Sequence, residues 1–303
     1  MKRAGLVGVT IVFGLAATGK ADAGPITFLT ALPVAKSQAV VRGQYLFIRA
    51  SGDPTPADQD LTVNALPFAV AVGVTSKLAL FGVVPVVNKS VDVTTPVGRR
   101  TLKSTGLGDI VAFARYTVMA VDLTESTFRI APFGGVKLPT GSDDASGPLG
   151  VFPRPLQQGS GSWDGLGGIA VTWQTKQWEF DADASYQKNT EADGFRFGDQ
   201  ASIDASLQYR VWPRQLGSGV PAFLYAVAET NLVSQRRSEI ADIRDPNSGG
   251  TRWDVDLGLQ FVRESYILEG IVQIPTIDRP NGTGLRSGFR VTAGFRWNIG
   301  LPF

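Results

Sequence analysis

A chain of 303 residues with no Cys and no His cannot build a disulfide framework, nor any catalytic triad, dyad or metal site that depends on imidazole. Its 29 Lys and Arg stand against 27 Asp and Glu, so no basic surplus points to a nucleic-acid partner. Stability must come from packing or from a closed sheet.

The amino terminus reads as a secretory signal peptide, residues 1–23. Lys2 and Arg3 form a basic start, Ala4 to Ala17 an apolar stretch, and Ala21-Asp22-Ala23 a small-x-small cleavage site. The apolar stretch is too short to span a bilayer as a helix, and no later stretch is long and apolar enough. Cleavage removes Lys2, Arg3, Lys20 and Asp22, taking 29 basic and 27 acidic residues to 26 of each and the mature charge to zero. Export without a helical anchor leaves the periplasm, the outer membrane or the exterior.

Residues 24–37 are uncommitted and predict either a periplasmic lead or a small insert inside a barrel. From residue 38 the chain breaks into β-rich runs at 38–49, 61–74, 78–88, 108–119, 127–137, 162–173, 177–187, 201–211, 222–231, 252–262, 266–274 and a closing run to 303. The closing run is strictly alternating: Phe289, Val291, Ala293, Phe295, Trp297, Ile299, Leu301 and Phe303 share one face, with Arg290, Thr292, Arg296 and Asn298 on the other. A soluble strand is mostly about 5–6 residues long, whereas a membrane-spanning strand needs about 9–11. Connectors after even-numbered strands read as short, and those after odd-numbered strands as longer and rich in Gly, Pro, Asp and Arg. Short turns on one rim, long loops on the other and an even strand count predict an all-β transmembrane antiparallel up-and-down barrel of about twelve strands over residues 38–303. Trp173, Trp178, Trp212 and Trp297 fall at the predicted periplasmic rim, Trp163 and Trp253 at the outer one, as in aromatic belts.

Alternation also assigns the lumen. A Lys or Arg facing lipid at mid-depth costs about 2–4 kcal/mol, so the charged faces must turn inward. The lumen-facing candidates are Glu179, Asp181, Asp183, Asp204, Arg210, Arg252, Asp254, Asp256, Arg290 and Arg296. The second and third runs are instead apolar on both faces, which predicts a hydrophobic stripe on the inner wall. Such a stripe would guide a small apolar or aromatic solute, or would be covered by Ile26, Phe28 and Leu29 of the amino-terminal segment.

Three Gly-rich stretches stand out: Gly106-Leu-Gly-Asp-Ile110, Gly135-Val-Lys-Leu-Pro-Thr-Gly141 and Leu156-Gln-Gln-Gly-Ser-Gly-Ser-Trp-Asp164. None is a phosphate loop, since Gly141 lacks the Lys-Ser/Thr pair and no helix follows. On turn chemistry, Gly106 and Gly108 would supply unusual dihedrals where the chain re-enters a strand, Pro139-Thr140-Gly141 a turn, and Gly159 and Gly161 the release of a long loop. With the signal peptide and terminal Phe303, these stretches resemble the outer-membrane family named for the meta-pathway of phenol degradation. The resemblance runs from about residue 38 to the terminus through Gly106, Gly108, Asp109, Lys137, Pro139, Gly141, Gly159, Gly161 and Asp164. It implies a β-barrel transporter associated with the breakdown of aromatic compounds, and Phe303 resembles the aromatic carboxyl terminus read by the barrel-assembly machinery.

Asp143 and Asp144 offer only two carboxylates toward Ca²⁺, too few for a site. Arg99, Arg100, Lys103, Arg236 and Arg237 fall on predicted outer loops, either to meet lipopolysaccharide phosphates or as ordinary solvated loop charge. The expectation is therefore an outer-membrane channel for small, aromatic or hydrophobic molecules, with no catalytic residue, cofactor or metal. Its rival is a plugged barrel serving as membrane anchor or interaction platform.

Overall fold

The computed structural model describes residues 23–147, 150–215 and 222–301. Residues 1–22 of the expected signal peptide and Phe303 lie outside the described residues. Period-two patterning forms long antiparallel strands, numbered here β1 (Gln38–Ser51), β2 (Asp60–Gly73), β3 (Leu78–Thr95), β4 (Gly98–Leu107 and Ile110–Tyr116, interrupted at Gly108-Asp109), β5 (Ser126–Leu138), β6 (Asp164–Thr175), β7 (Trp178–Lys188), β8 (Gln200–Trp212), β9 (Ala222–Gln235), β10 (Gly250–Arg263), β11 (Tyr266–Pro280) and β12 (Arg286–Gly300). Each pairs with its neighbours in sequence. β12 returns to β1, with Gln38 opposite Gly300 and Ser51 opposite Arg286. The sheet is thus a closed twelve-stranded barrel, with the half-strand Gly98–Leu107 pairing with β3 alone.

Burial is inverted relative to a protein dissolved in water. On β10, Trp253, Val255, Leu257 and Leu259 are exposed, while Asp254 and Asp256 between them and Gln260 after them are buried. On β7, Trp178, Phe180 and Tyr186 are exposed against buried Glu179, Asp181 and Asp183. A large apolar side chain left in water forfeits about 1.5–3 kcal/mol, so a barrel with this outer surface is stable only where lipid covers it. All six Trp are exposed, Trp173, Trp178, Trp212 and Trp297 toward one rim and Trp163 and Trp253 toward the other.

Two connectors differ from the sequence expectation. The stretch after residue 88 is not a long loop: β3 runs on to Thr95, Pro96-Val97 turns, and β4 runs back from Gly98, with Thr95 opposite Gly98 and Lys89 opposite Ser104. Val91 and Val93, alternating with Asp92 and Thr94, keep this ribbon extended beyond the apolar belt, where a polar outer face reads as loop composition. Arg99 and Arg100 therefore sit on a strand, and Arg99 pairs with Asp58 at 2.7 Å and Asp60 at 2.9 Å. The connector after β4 is longer than expected and includes Met119–Asp122, which pairs with the start of β5. At the opposite rim, Glu191–Ala192, Phe195–Arg196, Glu239–Ile240 and Ile243–Arg244 form a small antiparallel sheet between loops.

Candidate functional site

The interior divides into a charged wall and an apolar one. Strands β7 to β11 turn Glu179, Asp181, Asp183, Asp204, Glu229, Asp254, Asp256 and Glu269 inward, and each is buried. Arg210 and Arg296 are buried with them, and Arg252 and Arg290 are half-buried. Glu269 takes Arg42 of β1 at 2.6 Å and Arg296 of β12 at 2.8 Å, and Arg252 reaches Asp254 at 2.7 Å. Asp183 lies directly opposite Asp204 in the β7–β8 ladder; Asp204 accepts the Asn231 amide at 2.7 Å. Desolvation roughly offsets the attraction in such buried pairs, while loss of one partner costs about 3–5 kcal/mol. The network therefore fixes side-chain positions more than it adds net stability.

Residues 23–37 cross this interior. A backbone segment must find partners for its polar groups wherever water is excluded, and the charged wall supplies them. Ile26 N–H donates to Glu229 Oε1 at 2.6 Å, Thr27 Oγ1 to Glu229 Oε2 at 2.5 Å, and Ala31 N–H to Thr172 Oγ1 at 2.8 Å. In the reverse sense, Arg42 donates to the Ile26 carbonyl at 2.6 Å, Gln260 to Gly24 at 2.6 Å, Arg296 to Gly24 at 3.1 Å and to Pro25, and Arg115 to the carbonyls of Thr30 and Leu32. A segment touching β1, β4, β6, β9, β10 and β12 in turn lies inside the barrel. Ile26 packs on Val227 and Ile271, and Ala31 on Ala131 and Ala170. Gly73 admits it at the rim: a Cβ there would stand 2.1 Å from the Ala35 carbonyl oxygen.

The inward face of β1 to β4 is different in kind. Pro67 stands opposite Pro85, Ala65 opposite Val87 and Ala69 opposite Val83. Phe81 stacks on Phe113 with ring centroids 4.5 Å apart, and the Arg115 guanidinium lies 5.0 Å over Phe81. Leu46, Ile48, Val63, Val83, Pro85, Val87 and Phe113 all keep partial access, whereas the acids across the barrel are closed off. The apolar side chains thus keep access on the inner side, as Arg252 and Arg290 do across from them.

At the outer mouth, residues 139–147 and 150–163 fold inward. Lys137 of β5 sits between Asp109 at 2.9 Å and Asp164 at 2.6 Å, and donates also to Ser160. The N–H groups of Gly141 and Ser160 donate to Asp109 at 3.0 and 2.9 Å, and Asp164 accepts from Ser162 Oγ at 3.0 Å and Thr190 N–H at 2.8 Å. Gly159 fits against Gly141 because a Cβ would stand 2.3 Å from the Gly141 carbonyl oxygen, and Gly161 is left-handed at φ +72°. Pro139 leads out of β5, and Thr140 Oγ1 accepts Ile110 N–H at 2.9 Å. Gly106 and Gly108 do not adopt the unusual dihedrals expected of them: neither has positive φ. Gly108 instead brings its N–H within 2.8 Å of the Pro85 carbonyl, with Pro85 Cγ 3.0 Å from where a Cβ would be, and Gly106 faces the side chain of Gln158. Asp143 pairs with Arg154 at 3.0 Å, and Asp144 accepts Ser142 Oγ at 2.7 Å.

Between this inward loop and the walls lies a cavity of about 220 Å³, lined by Lys89, Asp109, Lys137, Arg154, Asp164, Phe197 and a set of amides including Gln157, Gln200 and Gln235. Sequence reasoning did not single out Arg42, Lys89, Arg115, Glu229 or Glu269. Their inward parity within alternating runs was the available signal for all but Lys89, which lay beyond the expected end of its strand.

A closed barrel with a lipid-matched exterior, aromatic belts and a polar interior is an integral outer-membrane protein of a Gram-negative cell. The chain belongs to the family described as "Putative MetA-pathway of phenol degradation", whose model matches residues 50–261. Among solved structures it is similar to an outer membrane channel from Pseudomonas putida F1, at 15% identity and a TM-score of 0.63, over 91% of this chain and 100% of that one. It also matches the β domain of the Bordetella autotransporter BrkA, at 12% identity and a TM-score of 0.47, over 86% and 99% of the two chains. A third match is the translocator domain of the autotransporter NalP from Neisseria meningitidis, at 10% identity and a TM-score of 0.44, over 88% and 90%. At these identities the likeness speaks to the fold. No curated protein matches the chain by sequence.

Proposed function

We propose that this barrel is a channel through which small apolar or aromatic molecules cross the outer membrane, by diffusion or facilitated transport, along the apolar inner face of β1 to β4. One observation carries the reading: the inward side chains of β1 to β4 are apolar and keep partial access, while the acids of the opposite wall are buried among their own partners and residues 23–32. A polar lining would offer a solute hydrogen bonds; Val83, Pro85, Val87 and Phe113 offer contact area and no competing polar group. The family description and the Pseudomonas putida channel point the same way. The exposed Arg236 and Arg237 on the outer rim suit lipopolysaccharide phosphates, and the carboxyl-terminal strand suits the assembly machinery.

The test is uptake by porin-depleted cells producing the protein, comparing benzyl alcohol with erythritol. Faster entry of the aromatic, lost on combined Val83→Asp and Val87→Asp substitution, is the expected result. Equal rates for both solutes, or no gain over cells without the protein, would overturn it. The segment inside the barrel favours the second reading, a plugged barrel used as anchor or platform, which requires no conductance in planar bilayers.

A further inference from the structure

The apolar track has at its head a cation with no carboxylate in direct contact, attracted only from further off by Asp109. Lys89 projects inward on β3, and every second residue below it (Val87, Pro85, Val83 and Phe81) belongs to the track. Its ammonium donates to the carbonyl oxygens of Pro155 at 3.0 Å and of Gln157. Among the described residues no carboxylate lies within ion-pair distance of it: Asp109 and Asp164 are taken by Lys137, and Asp143 and Asp193 by Arg154. An ammonium carries three N–H donors, so one is left for the cavity of about 220 Å³ that Lys89 lines with Phe197 and Gln235. At the opposite end of the track Arg115 likewise donates to carbonyl oxygens, those of Thr30 and Leu32, with its guanidinium over Phe81.

We propose, resting on the apolar conduit argued above, that the channel selects amphiphilic monoanions, small carboxylates with an aromatic or aliphatic body. Lys89 receives the carboxylate in the mouth cavity while the body lies on Val87 and Pro85. An ammonium that meets only carbonyl oxygens has a donor for one carboxylate, and the apolar strip directly below suits the rest of the molecule. The acids of β7 to β11 across the lumen oppose an anion, so without Lys89 the track would prefer neutral solutes. Lys89 therefore sets the sign of the preference.

The experiment compares initial uptake of benzoate and benzyl alcohol in the porin-depleted cells, for the full-length protein, Lys89→Met and Lys89→Arg, at equal levels of folded barrel judged by heat-modifiable migration. The expected result is a roughly ten-fold loss of benzoate uptake in Lys89→Met, the scale of one charge-assisted hydrogen bond, with benzyl alcohol little changed and benzoate restored in Lys89→Arg. Equal changes for both solutes would show that Lys89 only holds the inward loop, and unchanged benzoate uptake would show that it does not meet the solute; either overturns the proposal. Entry of neither aromatic into cells with the native protein overturns the conduit reading and this one together, whereas entry of both with no effect at Lys89 overturns this one alone.

Discussion

Lys137 holds the outer mouth together, because two carboxylates from different strands and the hydroxyl of Ser160 all meet its ammonium. Replacing it with Met leaves Asp109 and Asp164 facing each other in a largely buried site, a loss on the order of 3–5 kcal/mol for a broken buried pair. The stretch around Gly159 to Ser162 should then detach, and limited proteolysis should cut there at concentrations that spare the native protein. Unchanged protection would show that backbone contacts alone seat the loop. Glu239 makes a different prediction, in the small sheet outside the membrane. Arg196 at 2.8 Å, with Arg244 at 3.6 Å, holds its carboxyl below the usual glutamate range. A depressed value means that the contribution is present above the unfolded value and is lost as pH falls through the folded one. The loop sheet should therefore resist protease at neutral pH and lose that resistance in acid below the ordinary glutamate value, with Glu239→Gln removing the difference. These residue-scale partnerships were poorly legible in the sequence. The Gly-rich stretches drew notice as turns, but nothing in their spacing shows that Asp109 and Asp164 share one lysine.

The element that most changes the picture is the segment before β1. Its seat is made by residues as far away as Glu229 and Arg296, so no local pattern could place it. The strands were legible for the opposite reason: alternation is a local property, and in β7, β8 and β10 it is uninterrupted. Where the outer face becomes polar beyond the membrane, as at Ser90, Asp92 and Thr94, the signal fades and the strand runs further than its apolar pattern. Deleting residues 25–32 should enlarge the open lumen and raise single-channel conductance several-fold in planar bilayers. It should also lower the melting temperature, since Glu229 and Arg115 lose partners in a poorly solvated site. Native conductance in the deletion would mean that the passage avoids the segment altogether.

At the scale of the whole barrel, inverted burial makes neighbouring positions respond oppositely to charge. Leu257 is 62% exposed on the lipid side, while Asp256 next to it is fully buried on the inner side. Leu257→Arg should destabilise the folded barrel by about 2–4 kcal/mol if it sits near mid-membrane, read from urea unfolding in lipid vesicles. Exchange of the outward Thr251 at the rim for Arg should change little. Equal effects at both would mean that the apolar belt is misplaced. Arg42 on the first strand and Arg296 on the last both grip Glu269, and both also hold carbonyls of Gly24 to Ile26. The start of the segment is thus received by a seat that does not exist until the last strand has arrived. Order of synthesis and order of docking are reversed: the residues made first among these are the last that can settle. A barrel stalled before closure would leave this stretch in the periplasm, open to proteases, whereas a finished one withdraws it, so its protection marks completed molecules from unfinished ones.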